Sequence, residues 1–254
     1  MHLHSDYSVD ADDTINDMCQ KAIDLGLKGI CFTEHLDMNP KDPAYDYFEL
    51  NSYLQALTKA KTDFENELLV LGGVEFNKPN CYPEKLKEVI SSKFDVILAS
   101  IHWMDEMMFG SGDLVESYAT AKIFNKYYKL MLEMVKYGDF DILAHMDFPK
   151  RYVAGKVDIT DNFEKIKEIL KVIIQKDIVL EINTSSIRKG IKDCMPGREI
   201  LSLYYDLGGN KVTLASDAHR VSEIAADFDF ALEIIDKFDL TAGYFQSRNF
   251  KKLN

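Results

Sequence analysis

Histidines and carboxylates occupy positions in this sequence from which they could bind metal ions together. His2 and His4 are two residues apart, so both imidazoles would point to the same face of an extended strand. Two imidazoles on one face can bind one metal ion, and Asp10 adds a carboxylate after a short loop. A lone His-x-His pair also occurs at surfaces and in cores, so the positions of the other histidines decide its interpretation.

Each of the other histidines follows an apolar, β-branched run, at the point where a strand is predicted to end. The carboxyl-terminal ends of parallel strands meet at one mouth of a barrel. Imidazoles and carboxylates are costly to bury together without a cation, and they are ligands for Zn, Mn and Fe ions. The pattern therefore predicts a metal site at this mouth. Its members beyond the first ten residues are His35, Glu75, His102, His145, Asp217 and His219.

Seven strands and seven helices are predicted, in alternation. The strands are expected over residues 2–5, 29–33, 68–74, 95–100, 141–144, 178–183 and 211–216. The helices are expected over residues 14–25, 53–65, 83–91, 115–137, 162–176, 196–207 and 222–238. This alternation is typical of a parallel α/β fold, and nearly continuous apolar strands favour a closed barrel. A doubly wound sheet is the alternative, but no Gly-rich phosphate loop follows the first strand.

Composition limits the class of protein and its partners. No linker or repeat divides the 254 residues, so we predict one domain over residues 1–254, with a frayed, Lys-rich end from residue 248. The four cysteines form no C-x-x-C pair, which together with the lack of a signal peptide predicts a cytoplasmic protein. The net charge of −12 argues against nucleic-acid binding, and no apolar run is long enough to cross a membrane.

Taken in order, the motifs HLH, TEH, GVE, SIH, AHMD and SDAH resemble those of the polymerase-and-histidinol-phosphatase (PHP) superfamily. The resemblance implies a distorted seven-stranded (β/α)7 barrel with three divalent ions, Zn, Mn or Fe, at the carboxyl-terminal ends of its strands. The related amidohydrolases also begin with His-x-His, but they usually place a bridging Lys where this chain has His102.

The resemblance also implies how the ligands are divided among the three ions. The first ion would be bound by His2, His4, Glu75 and Asp217. Glu75 would bridge to the second ion, which His102 and His145 complete. The third ion would be bound by Asp10, His35 and His219, although some relatives have His where this chain has Asp10.

Several ions at one mouth suit phosphoester hydrolysis, because they lower the pKa of water to about 7 and offset charge on phosphate oxygens. Arginine binds phosphate through its planar fork, and Arg151 and Arg188 follow the ends of two predicted strands. We predict that both arginines bind the substrate. Glu75, Asp217 and His219 are the predicted catalytic residues, and the last two are candidates to protonate the leaving alkoxide, with a water as the alternative.

Within the superfamily, the segments AHMDFPKR and NTSSIRKG most resemble the free-standing histidinol-phosphatase branch. That resemblance implies hydrolysis of the small phosphomonoester L-histidinol phosphate in histidine biosynthesis. Three alternatives stay open: a phosphatase for phosphotyrosine, a sugar phosphate or a nucleotide phosphate; a non-catalytic, metal-stabilised binding module; and a nuclease, which the acidic charge disfavours. A homodimer also stays open.

A few residues beside the predicted ligands have two interpretations each. Glu34, Glu181 and Asn183 could orient a ligand through a hydrogen bond, or they could fill a barrel layer or face outward. The Met-rich loop over residues 104–109 could cover a substrate, or it could pack on its own barrel.

Overall fold

The structure, a computed structural model, describes residues 1–153 and 160–253. Its strands are β1 (Gly29–Leu36), β2 (Leu69–Asn77), β3 (Val96–Ser100), β4 (Trp103–Met104), β5 (Met107–Met108), β6 (Ile142–Leu143), β7 (Val179–Asn183), β8 (Lys211–Ala215), β9 (Thr241–Gln246) and β10 (Asn249–Lys252). Within these ranges, eight strands form one sheet in the order β1-β2-β3-β6-β7-β8-β9-β10, and β4 pairs with β5 in a separate hairpin. Pairing is parallel from β1 to β9, and β10 is antiparallel to β9.

The helices of the described residues lie between the strands. They are α1 (Ile15–Asp24), α2 (Leu50–Asp63), α3 (Pro83–Ser91), α4 (Asp113–Ser117), α5 (Thr120–Tyr137), α6 (Phe163–Gln175), α7 (Ser185–Arg188), α8 (Arg198–Asp206) and α9 (Phe228–Lys237). The single helix predicted over residues 115–137 is wrong, because Tyr118 and Ala119 are extended and separate α4 from α5. No helix in the described part is long and apolar enough to cross a membrane.

The sheet curls around an apolar interior, so the predicted α/β barrel class is confirmed. The inner layer consists of Cys31, Leu71, Val96, Leu98, Ile142, Ala144, Val179 and Phe245. A larger apolar cluster lies between the sheet and the helices. All five residues of β3 are buried, as expected of a parallel strand that is covered on both sides.

The strand count differs from the prediction at both ends of the chain. The predicted strand over residues 2–5 is wrong as a strand: it forms a single bridge, between Leu3 and Ala218. The segment nevertheless closes the gap between β1 and the residues after β8. The backbone N–H of Thr33 donates to Leu3 O at 2.9 Å, and that of Asp217 donates to His2 O at 3.0 Å.

The predicted frayed end is also wrong, because residues 249–252 form β10 and the turn before it is anchored. Ser247 and Arg248 have positive φ angles of 50° and 59°, and they connect β9 to β10. The Arg248 guanidinium donates to Asp141 at 3.1 Å and to Asp139 at 2.9 Å. Phe245 points into the barrel, so this hairpin closes its amino-terminal end.

Candidate metal centre

Glu75, at the carboxyl-terminal end of β2, is the centre of the site. Its Oε1 lies 3.1 Å from His102 Nε2 and 2.7 Å from His145 Nε2. Its Oε2 lies within 3.0 to 3.6 Å of ring nitrogens of His2, His4 and His35. One buried carboxylate therefore contacts five of the six predicted histidine ligands. The structure brings all nine predicted ligands together, since Asp10, Asp217 and His219 complete the cluster.

The first set of donor atoms has the spacing of a tetrahedral metal site. His2 Nε2 and His4 Nε2 are 3.1 Å apart, and Asp217 Oδ1 lies 3.7 Å and 3.5 Å from them. Glu75 Oε2 lies 3.3 Å and 3.6 Å from the same two nitrogens. Ligands placed about 2.0–2.1 Å from a tetrahedral Zn ion are separated by about 3.3 Å. Five of the six edges of the tetrahedron that these four atoms would form therefore lie within about 0.4 Å of this value.

Hydrogen bonds on the far side of His2 and His4 test whether a cation fits between them. His2 Nδ1 lies 2.7 Å from Glu181 Oε1, a carboxylate that can only accept, so Nδ1 carries the hydrogen. His4 Nδ1 likewise donates to Ser8 Oγ at 3.0 Å, because the Ser8 hydroxyl hydrogen is directed to Glu34. When both rings are neutral, two lone pairs therefore face each other at Nε2, an arrangement that a metal ion satisfies.

The surroundings of the two rings in this set shift their pKa values in opposite directions. Burial alone would lower the pKa of His2, but the carboxylates of Glu181 and Glu75 outweigh it and raise that pKa well above its ordinary value. The pKa of His4 is well below its ordinary value, because the ring is buried and lies beside the rings of His35 and His219. The carboxylates therefore favour a positive charge at His2, whereas a proton on the ring of His4 is disfavoured.

The third set lies at the rim of the site, next to solvent. Asp10 Oδ1 is 3.5 Å from His35 Nε2, and Asp10 Oδ2 is 3.3 Å from His219 Nε2. The two ring nitrogens are 3.4 Å apart. Burial would raise the pKa of Asp10, but hydrogen bonds from His219 and His35 hold it far below its ordinary value. This set also has the spacing of ligands to one ion.

The carboxylates at the centre are held in the ionised state. Burial would raise the pKa values of Glu75 and Asp217. For Glu75 the rings of His102 and His2 outweigh burial, and its pKa is well below the ordinary value. For Asp217 the neighbouring His2 and the hydrogen bond from His4 have the same effect. Both groups are therefore anionic ligands at neutral pH.

Two of the predicted ligands have strained backbones. His145 has φ 25° and Asp217 has φ 50°, a left-handed conformation that non-glycine residues rarely adopt. Each residue lies just after a barrel strand, β6 or β8, where the chain turns away from the sheet. Such strain persists only where the surrounding structure over-determines it, and it is concentrated at functional sites.

Glu181 and Asn183 form hydrogen bonds to predicted ligands and to each other, as the first of their two interpretations requires. Besides its bond to His2, Glu181 accepts the backbone N–H of His145 at 2.8 Å. Asn183 donates to Glu181 Oε2 at 3.0 Å. Glu34 does not face outward, and its partners are the serines at residues 5 and 8. Burial raises the pKa of Glu34 to about 7, against the hydrogen bonds from these two serines.

Arg151 and Arg188 both lie beside Asp217. Arg151 NH1 is 3.5 Å from Asp217 Oδ2. Arg188 NH2 donates to the backbone oxygens of Ser216 at 2.7 Å and Asp217 at 3.2 Å. Arg151 Nε and Arg188 NH1 are buried, and neither has a hydrogen-bond partner among the described residues. Each arginine therefore keeps a donor that an anion could bind.

A cavity of about 370 Å³ lies above the donor atoms. Phe109, Phe148 and Tyr152 line it, so the loop over residues 104–109 both faces the cavity and packs on its own barrel. Asp37 and Asp42 also line the cavity, and neither was predicted from the sequence. Burial, together with the nearby Asp42, raises the pKa of Asp37 to about 6, against a hydrogen bond from a backbone N–H. The position of Asp37, two residues beyond His35, was the available signal.

The comparisons with known proteins agree with this geometry. Residues 1–185 match the PHP domain family. A probable histidinol-phosphatase of Clostridium acetobutylicum is 31% identical over 98% of this chain and 97% of its own length. A histidinol-phosphatase of Lactococcus lactis subsp. lactis is 26% identical over 86% of this chain and 82% of its own length.

Solved structures show the same fold. The crystal structure of histidinol phosphate phosphatase from L. lactis, in complex with Zn, L-histidinol and phosphate, has a TM-score of 0.84. It is 22% identical in sequence, and the match covers 99% of this chain and 97% of that one. By its sequence and its fold, this chain belongs to the PHP domain family.

Proposed function

We propose that this protein is a metal-dependent phosphomonoesterase that hydrolyses L-histidinol phosphate to L-histidinol and phosphate. The observation that carries the proposal is the convergence of three sets of donor atoms on Glu75, beside two arginines with unused donors. The relatives named histidinol-phosphatase support the substrate, since the match extends over nearly the whole chain. By the same reasoning, the chain acts in histidine biosynthesis.

We further propose three divalent ions, bound as the resemblance implies. His2, His4, Glu75 and Asp217 would bind the first ion. Glu75, His102 and His145 would bind the second, and Asp10, His35 and His219 the third. Nitrogen and oxygen ligands of this kind suit Zn, Mn and Fe, and the L. lactis neighbour contains Zn. When bound, such ions supply a nucleophile at neutral pH and offset the charge on a phosphoryl group.

The chain's own residues bind the two ends of the substrate. Arg151 and Arg188 would donate to the phosphate from the positions described above. Asp37 and Asp42 place negative charge in the same cavity, which suits the amine and imidazole of histidinol. Asp217 Oδ2 lies 3.5 Å from Asn183 Nδ2 and 3.5 Å from Arg151 NH1. These donors keep Asp217 as an anion and a proton acceptor. His219 Nε2 would bind the third ion and His219 Nδ1 lies 3.1 Å from the backbone oxygen of Asp217, so a water is the remaining candidate for the proton donor.

The test is phosphate release from a panel of phosphomonoesters by protein loaded with Zn or Mn. The panel contains histidinol phosphate, phosphotyrosine, a sugar phosphate and a nucleotide monophosphate. We expect kcat/KM for histidinol phosphate to exceed the others by at least about tenfold, and a chelator to abolish the release. A flat profile would contradict the proposed substrate. No release from any ester by metal-loaded protein would contradict the enzyme and favour a binding module.

A charge-neutralising variant tests substrate selection separately from hydrolysis. Asp42→Asn removes a negative charge from the cavity, yet it retains an oxygen that can accept the hydrogen bond from Trp103 Nε1. We expect it to lower kcat/KM for histidinol phosphate by about tenfold. The kcat/KM for the sugar phosphate, which has no cationic group, should stay nearly unchanged. An equal loss on both substrates would remove Asp42 from substrate selection.

A further inference from the structure

Glu34 is a buried carboxylate outside all three sets of donor atoms. Its side chain is 0% exposed, next to His35 on β1. Its oxygens accept three kinds of hydrogen bond: from Ser5 N at 3.1 and 3.2 Å, from Ser5 Oγ at 2.7 Å and from Ser8 Oγ at 2.6 Å. A buried carboxylate is costly unless it is hydrogen-bonded, so its presence here calls for a role.

The Ser8 hydroxyl connects this carboxylate to a metal ligand. Ser8 Oγ accepts the backbone N–H of His35 at 3.0 Å and lies 3.0 Å from His4 Nδ1. A hydroxyl has one hydrogen, and while Glu34 is ionised the 2.6 Å bond to it uses that hydrogen. His4 Nδ1 must therefore carry the hydrogen that it shares with Ser8. The neutral ring then has its lone pair on Nε2, which faces His2 at 3.1 Å.

We infer that Glu34 and Ser8 are positioning residues, which fix His4 in the tautomer that binds metal and thereby set the affinity of the first ion. The inference rests on the metal centre of the proposed function and extends it. His2 has the same need, and Glu181 meets it directly at 2.7 Å. For His4, Nδ1 contacts Ser8 Oγ, which in turn donates to Glu34, so a serine transmits the effect of the carboxylate. Partners of this kind typically change metal affinity by 10- to 100-fold.

The serine at position 5 provides a matched control. Ser5 Oγ donates to the same carboxylate as Ser8, at 2.7 Å against 2.6 Å, and both side chains are fully buried. Of these two hydroxyl groups, that of Ser8 is the one hydrogen-bonded to the ring of His4. If the two serines only satisfied Glu34, then Ser5→Ala and Ser8→Ala would have similar effects on metal binding.

The experiment measures Zn affinity by chelator competition in wild type, Ser8→Ala, Ser5→Ala, Glu34→Gln and the double variant Ser8→Ala/Glu34→Gln. We expect Ser8→Ala to weaken one Zn equivalent by about 10- to 100-fold and Ser5→Ala to weaken it by less than about threefold. The double variant should lose little more than Ser8→Ala, because the two residues act in series. Equal losses in the two serine variants, or additive losses in the double variant, would overturn the inference.

An NMR spectrum of the wild-type protein tests the tautomer of His4 without any substitution. In Zn-loaded protein with ¹⁵N-labelled histidine, His4 should show a protonated Nδ1 and a metal-bound Nε2. A protonated Nε2 on His4 would overturn the inference, even if Ser8→Ala does not fold. If the wild-type protein binds no Zn, the metal centre itself is contradicted. Failure of the inference and failure of the proposed function are therefore distinguishable.

Discussion

Buried carboxylates lie at both ends of this barrel, and the difference lies in what neutralises them. At the amino-terminal end, Asp95 accepts Lys61 Nζ at 2.8 Å and two backbone N–H groups at 3.1 Å each. Asp141, at the same end, accepts the Arg248 guanidinium and the backbone N–H of Ile97. This end contains its own cations and hydrogen-bond donors.

At the carboxyl-terminal end, Glu75 and Asp217 face imidazole nitrogens instead. In the neutral rings of His2 and His4 the single N–H hydrogen lies on Nδ1, where it is donated to Glu181 or to Ser8. Bound cations would complete the compensation of these carboxylates. The comparison supports the proposed metal centre, because one end of the barrel is neutralised by its own side chains and the other end has carboxylates that bound ions would neutralise.

The largest effect should follow from removing the charge that joins two donor sets. We expect Glu75→Gln, and likewise His102→Ala, to lower kcat/KM by on the order of 1000-fold or more, because the first variant loses the ligand shared by two donor sets and the second variant loses a ligand of the second set. Steady-state kinetics and metal analysis on the same preparations measure this. The exposed Glu65→Gln serves as the control, and a Glu75→Gln protein with full activity would contradict the shared site.

Metal removal should destabilise the carboxyl-terminal end alone. Ions present at about 1000 times their dissociation constant stabilise the folded state by about 4 kcal/mol, or about 8–16 °C in Tm for a chain of this size. We expect a chelator to lower Tm by this amount, and Zn or Mn to restore it. An unchanged Tm by calorimetry would show that the donor sets hold no ion.

Arginine variants should separate phosphate binding from the geometry of the site. Arg151→Ala is expected to raise KM by about 10- to 100-fold, the value of one or two lost charge-assisted hydrogen bonds. Arg188→Ala should lower kcat as well, because its guanidinium also holds the backbone oxygens of Ser216 and Asp217. Arg198→Ala is the control, and kinetics that match this control would remove either arginine from the site.

The smallest effect on catalysis should come from the opposite end. Arg248→Ala removes the partner of Asp141 and should cost about 2 kcal/mol of stability, or about 4–8 °C in Tm. We expect this loss to be equal with and without metal, because the two ends share no partners. Calorimetry with and without chelator measures it, and a loss that depends on metal would mean that the ends are coupled.

The sequence was most informative where each residue must be of one chemical type. Metal ligands have few substitutes, and strand ends bring them together, so the motifs from His2 to His219 predicted the cluster. Helix α1 was predicted for a similar reason: Thr14 accepts the N–H of Asp17 at its start, and Gly26 follows its end with φ +72°.

The sequence was least informative where tertiary contacts decide. The turn between β9 and β10 has positive φ at Ser247 and Arg248, positions where Asn-Gly would have signalled a hairpin. Its anchor is a set of acidic side chains more than a hundred residues earlier. Asp37 and Asp42 gave no periodic signal either, since loop residues acquire a shared cavity only once the chain has folded.

Because the segment that carries His2 and His4 closes the barrel, the binding of metal ions could be followed over time by the exchange of backbone amides in and around it. The segment that carries His2 and His4 is attached to its neighbours by isolated backbone hydrogen bonds. Thr33 N–H donates to Leu3 O, and His4 N–H donates to Ala218 O at 2.8 Å. An ion that binds His2, His4 and Asp217 together would hold this segment to the residues that follow β8. Hydrogen–deuterium exchange at the amides of Thr33, His4 and Asp217 should therefore slow when ions bind, while amides within β3 keep their rates.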